Sequence, residues 1–213
     1  MPFTNEFKDK YVAPHISSFT AATIPDMSAV SEAQGHWLLS FVLNSGLVVT
    51  MDDATRRTLY NFLRRAERAF GDYEAARQAA LAYLTNLNPD AVSEYIIAIG
   101  HWESFLSQAY QAWCLLVRGQ KILFEPGDGS IMQRLNLLYN RAKHAESAIT
   151  SQQLPPDGTL PVWLQNDGLH SVEAALTFSE MAGMLEDLAR FADGAQNPLT
   201  MRETVMAAYT SDT

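Results

Sequence analysis

The residues with the clearest capacity for chemistry lie on one stretch, IMQRLNLLYNRAKHAESAIT, residues 131–150. Ile131, Leu135, Leu138, Ala142, Ala145 and Ile149 recur at helical steps and predict one helix with an apolar side. Asn140 and His144, one turn apart, point away from that side. Arg134, Leu137, Arg141 and His144 follow steps of three, four and three, so they form a second, partly cationic surface. An imidazole can take or give a proton near neutral pH, and guanidinium forks suit phosphate oxygens. Leu137 on that surface calls for a partner helix, from the chain itself or a second copy. The other reading is an ordinary wet face with one histidine.

A second cationic group lies on the preceding part of the chain. Arg57, Arg64, Arg65 and Arg68 share the polar side of a predicted helix. With Arg134, Arg57, Arg64 and Arg68 are candidate phosphate-binding residues. Glu67, Asp53 and Asp72 dilute that charge, and a solvated helix face is the competing reading. Glu103 stands apart because its position on a long apolar helix aims it near Val92, Ile99, Leu106 and Tyr110. A carboxylate there needs hydrogen bonds, a cation or a proton. A structural acid paired with a cation and a supporting role at a site are both open.

Other constellations are weaker. Glu94, His101 and Gln108 fall at heptad spacing, as do Glu173, Glu180 and Asp187, but neither has the Glu-x-x-His step of di-metal bundles. No metal is expected. His36 and His170 lack ligand partners nearby in sequence. Cys114 reads as a packing residue. Glycine-rich phosphate loops and Gly-x-Ser-x-Gly elbows are absent, so no cofactor is expected.

The elements that must position these groups read as helices. Residues 1–27 form an irregular arm with a short helical piece. Asp26 or Ser28 caps a helix with Trp37, Leu38, Phe41 and Val42 on its apolar side, ending at Asn44-Ser45-Gly46. Asp52 and Asp53 open a helix to about Phe70, with a break or kink at Gly71-Asp72 and a further helical run from Tyr73 to Leu84. Val92 to Arg118 is the longest periodic stretch and the predicted central helix. Gly100 in its middle costs about 1 kcal/mol relative to Ala and predicts a kink or close contact. Residues 160–170 carry a short extended piece and a turn at Asn166-Asp167-Gly168. The last strong helix is predicted from Val172 to Ala192, with a short terminal helix near Met201–Tyr209. The fold expected is an all-α bundle of about 6–7 helices in one domain.

With 213 residues the chain can bury a sizeable core. One cysteine excludes an intrachain disulfide and fits a reducing compartment. No secretory signal or membrane-length apolar run is visible, which predicts a cytoplasmic protein with no membrane partner. A net charge of −9 argues against whole-surface attraction to nucleic acid, though not against a local basic patch.

At Tyr139-Asn140-Arg141-Ala142-Lys143-His144 the chain resembles the HEPN superfamily, helical bundles found in toxin–antitoxin, defence and RNA-processing systems. Asn140 and His144 match the last two positions of that family's Arg-Asn-x-x-x-His pattern. The segment Trp102-Glu103-Ser104-Phe105-Leu106 is similar to its earlier acidic helix. The resemblance covers about residues 90–195 and leaves residues 1–89 as an added helical layer. It implies a homodimer in which facing helices complete a site for RNA or nucleotide. In active members that site cleaves RNA without a metal. Carried over, His144 would be the general acid–base, Arg141 the phosphate clamp, Asn140 an orienter and Glu103 a support. The chain departs from the pattern at Tyr139, where the family has Arg. That departure favours binding without cleavage, or dimerisation alone. A non-catalytic helical interaction protein is the alternative, and a bundle enclosing a ligand among Trp37, Trp102, Trp113 and Trp163 is a third reading.

Overall fold

The structure, a computed structural model, describes residues 3–31, 36–47, 51–86, 91–117, 123–151, 154–155 and 158–196. Its described elements are α1 (Asn5–Tyr11), a 3-10 turn (Ile16–Ser18), α2 (Ser28–Ser31), α3 (Trp37–Leu47), α4 (Asp53–Thr85) and α5 (Val92–Leu116). Then follow α6 (Ile131–Lys143), α7 (Ala145–Thr150), strands β1 (Trp163–Gln165), β2 (Gly168–His170) and β3 (Ala175–Thr177), and α8 (Phe178–Ala195).

The chain is predominantly helical, but the all-α expectation is corrected by a three-stranded antiparallel sheet in the order β1-β2-β3. Leu164 pairs with Leu169, and Leu169 with Leu176, so three buried leucines line up across the sheet. The third strand comes from residues expected to begin the last helix. That helix starts later because Thr177 is its true cap: its hydroxyl accepts from the Glu180 N–H while Glu180 accepts from the Thr177 N–H. Ser171 meanwhile holds the turn before β3, its hydroxyl oxygen accepting from the Glu173 and Ala174 N–H groups.

The expected break at Gly71-Asp72 does not occur, and α4 runs unbroken for 33 residues. It is capped by Asp52, whose carboxylate accepts from the Ala54 and Thr55 N–H groups. Leu59, Phe62, Leu63, Ala66, Ala69, Phe70, Tyr73 and Ala76 extend one buried stripe across that point. A continuous stripe keeps the helix together where one exposed glycine costs only about 1 kcal/mol.

α4 and α5 pack along one another and share an aromatic core. The rings of Tyr73 and Trp102 meet edge-on at 5.3 Å, and Trp102 meets Phe105 at 5.7 Å and Phe178 of α8 at 5.5 Å. The boundary drawn near residue 90 therefore falls between two helices of one core. The N-terminal arm is also structural. Ile16 and Phe19 are fully buried, the Tyr73 hydroxyl donates to the Pro25 carbonyl, and the Tyr83 hydroxyl donates to that of Ile16.

The helix expected over 131–150 is two helices. It breaks at His144, whose φ of −114° and ψ of 44° leave the helical region. Its start is as read: the Ser130 hydroxyl accepts from the Gln133 N–H after a loop in which Gly127 and Gly129 adopt positive φ. The possible terminal helix at 201–209 lies outside the described residues. Among them, no helix is long and apolar enough to cross a membrane.

Candidate functional site

The residues of α6 that the sequence singled out separate into two sets. Arg134 and Arg141 are turned inward and taken by carboxylates. Arg134 donates to both oxygens of Glu180, at 2.6 and 3.1 Å, and to the Ala175 carbonyl at 2.8 Å. Arg141 lies 2.5 Å from Glu173, with only 10% of its side chain exposed. Both were expected to offer guanidinium groups to phosphate, and both instead tie α6 to the β3–α8 region. Glu173, Glu180 and Asp187, considered as metal ligands, are each in an ion pair with arginine. Among the described residues no group of three His, Cys, Asp or Glu is placed to hold a metal.

Asn140 and His144 remain on the surface. The Asn140 amide donates to Asn136 at 3.0 Å. His144, with 52% of its side chain exposed, has Nδ1 3.8 Å from Glu146. The helix break at His144 and the inward turn of Arg141 keep this imidazole and that guanidinium from being offered side by side.

Arg64, Arg68 and Glu103 lie elsewhere, in two grooves that flank α5. A groove of about 690 Å³ lies between α4 and α5, lined by Arg64, Arg65, Glu67, Arg68, Gly71, Asp72 and Gln108. Arg64 and Arg68 are exposed, and Arg65 donates to the Gln108 side chain at 2.7 Å. Burial and then the adjacent Arg64 charge pull the Arg65 pKa down, while the Tyr139 hydroxyl opposes them. Arg57 lies apart, 3.6 Å from Asp53, in a smaller and more apolar groove with Tyr60 and Val42.

On the other side of α5, a second groove of about 550 Å³ is lined by Glu103, Ser104, Ser107, Gln111, Tyr139, Ala142 and Lys143. Tyr139 stacks on Tyr110 with ring centres 4.6 Å apart, and the Lys143 ammonium sits 5.4 Å from the Tyr139 centroid. Burial pushes the Tyr110 hydroxyl up to about 12, so it stays a neutral donor. Glu103 is half-buried here, at the groove rather than in the core, and burial alone raises its carboxyl pKa.

Sequence reading missed Tyr139, Lys143, Ser107 and Gln111. The signal was present: Glu103, Ser107 and Gln111 recur every four residues on α5, as do Ser104 and Gln108, giving a polar face on an otherwise apolar helix. Cys114, expected in packing, is exposed near Tyr110, and burial raises its thiol. His170 does have a partner, Asp167, at 2.8 Å across the β1–β2 turn. Of the tryptophans, Trp37 donates to Asp193, Trp102 packs with Phe178 and Trp113 with Phe191. Compared with known proteins, the chain matches no family model, no curated protein and no solved structure.

Proposed function

We propose that this chain binds single-stranded RNA or nucleotides in the grooves that flank α5, one beside α4 and one beside α6, without cleaving them. The observation that supports this most is that α5 is flanked by an arginine row in one groove and a stacked tyrosine pair in the other. Guanidinium groups at Arg64 and Arg68 can fork onto phosphate oxygens. A base can stack on Tyr139, and Ser107, Gln108 and Gln111 offer hydroxyl and amide groups to ribose or base edges. With a net charge of −9, the attraction must be local.

The resemblance to the HEPN superfamily belongs to the same proposal, as does pairing of two copies through the α6 surface. Binding is favoured over cleavage because Arg141 is already committed to Glu173 and Tyr139 stands at the family's Arg position. A second reading, a non-catalytic helical interaction protein, draws on Leu39, Val42 and Leu43, three apolar side chains exposed along α3 beside Tyr60 of α4.

Fluorescence anisotropy with labelled single-stranded RNA tests the proposal. Saturable binding that falls at least about tenfold in Arg64→Gln/Arg68→Gln supports it. No binding at low salt leaves the interaction-protein reading. RNA degradation that disappears in His144→Ala would restore the nuclease.

A further inference from the structure

The second groove contains a carboxylate with no donor from the protein. Among the described residues, the Glu103 carboxylate receives no hydrogen bond and forms no ion pair, although it is half-buried. None of the described polar groups around it donates to it. The Ser104 hydroxyl donates to Asp72 at 2.6 Å, and the Gln111 amide donates to the Ser107 hydroxyl at 2.9 Å. Lys143, the groove's cation, is exposed, forms no ion pair among the described residues and rests over the Tyr139 ring. A carboxylate that lacks a protein donor and faces an open groove is free to receive a ligand that supplies two adjacent donors.

We infer that this groove selects guanine, with Glu103 accepting from the base's N1–H and exocyclic amine, and Lys143 moving off the Tyr139 ring to donate to O6 while the base stacks there in its place. The inference rests on the nucleotide-binding reading above. Guanine is the one common base whose pairing edge offers two neighbouring donors followed by an acceptor. Adenine sets its N1 lone pair beside its only donor group, and uracil flanks a single N–H with two carbonyls. Either would turn a lone pair toward the carboxylate. A divalent ion is a poorer match, since among the described residues no cluster of three His, Cys, Asp or Glu exists to hold one.

Calorimetric titration of the full chain with 5′-GMP, 5′-IMP, 5′-AMP and 5′-UMP tests this, beside anisotropy with guanine-containing and guanine-free single-stranded RNA. GMP is expected to bind at least about tenfold tighter than AMP or UMP, with IMP between them because it keeps N1–H and O6 but lacks the amine. Glu103→Gln, nearly the same shape, replaces one acceptor with a donor. It is expected to bring GMP down to the AMP level and leave AMP unweakened, with circular dichroism showing the fold intact. Equal affinities for the four nucleotides, or a guanine preference that survives in Glu103→Gln, overturns the inference while RNA binding stands. No binding of any nucleotide or RNA sinks the reading beneath it.

Discussion

Ser104 on α5 donates a 2.6 Å hydrogen bond to Oδ2 of Asp72 on α4, and the same oxygen takes Nε of Arg68 at 3.3 Å. Asp72 is buried, with 8% of its side chain exposed, while Arg68 is largely solvated. The hydroxyl is thus the interior partner of this charge, and it ties the two core helices together beneath the arginine row. Removing one donor from a buried carboxylate costs about 1–3 kcal/mol. Ser104→Ala should therefore lower the unfolding free energy by about that much in urea titration, whereas Arg68→Gln should cost less than about 1 kcal/mol. Equal losses in the two variants would mean that the exposed arginine carries the charge.

Two glutamates should respond to pH with opposite signs. The Arg134 hydrogen bond above all, aided by Thr177, holds the Glu180 carboxyl below the usual range. Its stabilisation is present above the unfolded value of about 4.3 and fades as pH falls through the lower folded value. Glu103 is raised by burial, so its folded form binds protons more readily than its unfolded form. Its ionisation therefore costs stability above the folded value, and that cost is absent below about 4.3. Thermal melts should show Glu180→Gln below the wild type at neutral pH and Glu103→Gln above it. Both differences should shrink in acid. A Glu103→Gln variant that melts lower at neutral pH would mean that the carboxylate has a favourable partner.

The arginine row makes a prediction independent of absolute affinity. Each phosphate neutralised on a single strand contributes about 0.7 to the slope of log affinity against log salt. Arg64→Gln/Arg68→Gln should flatten that slope by about 1.4 if both side chains reach phosphates. Arg141→Gln should leave it unchanged, because Arg141 is engaged with Glu173. A flattened slope in Arg141→Gln would place RNA on α6 instead.

The helical elements were legible because their signals are local. Asp52 and the apolar steps on α4 and α5 each act within one or two turns. Long-range competition decided what the sequence concealed. Arg134 and Arg141 read as surface cations on their own helix, yet Glu180 and Glu173, distant in sequence, claim them. Residues 172–177 have helical spacing, but pairing Leu176 with Leu169 and capping at Thr177 hold them extended. The polar face of α5 was periodic in the sequence, but its grooves depend on how α4 and α6 flank it.

Two glycines, both prominent in the sequence, should respond oppositely to the same substitution. A Cβ at Gly168 would overlap the Leu176 carbonyl oxygen and lie 2.7 Å from the Thr177 Cα, both of them backbone atoms of the paired strand. The pair cannot yield without opening the sheet. Gly168→Ala should therefore cost about 3 kcal/mol or more, a melting shift of about 6–12 °C for a chain of this size. At Gly100 on α5 an added Cβ meets nothing within 4 Å, so the expected close contact is absent and only the helix penalty remains. Gly100→Ala should raise stability by about 1 kcal/mol, or about 2–4 °C. A tolerated Gly168→Ala would show that β2 and β3 do not pair in this register. A destabilising Gly100→Ala would show that something packs against that face of α5.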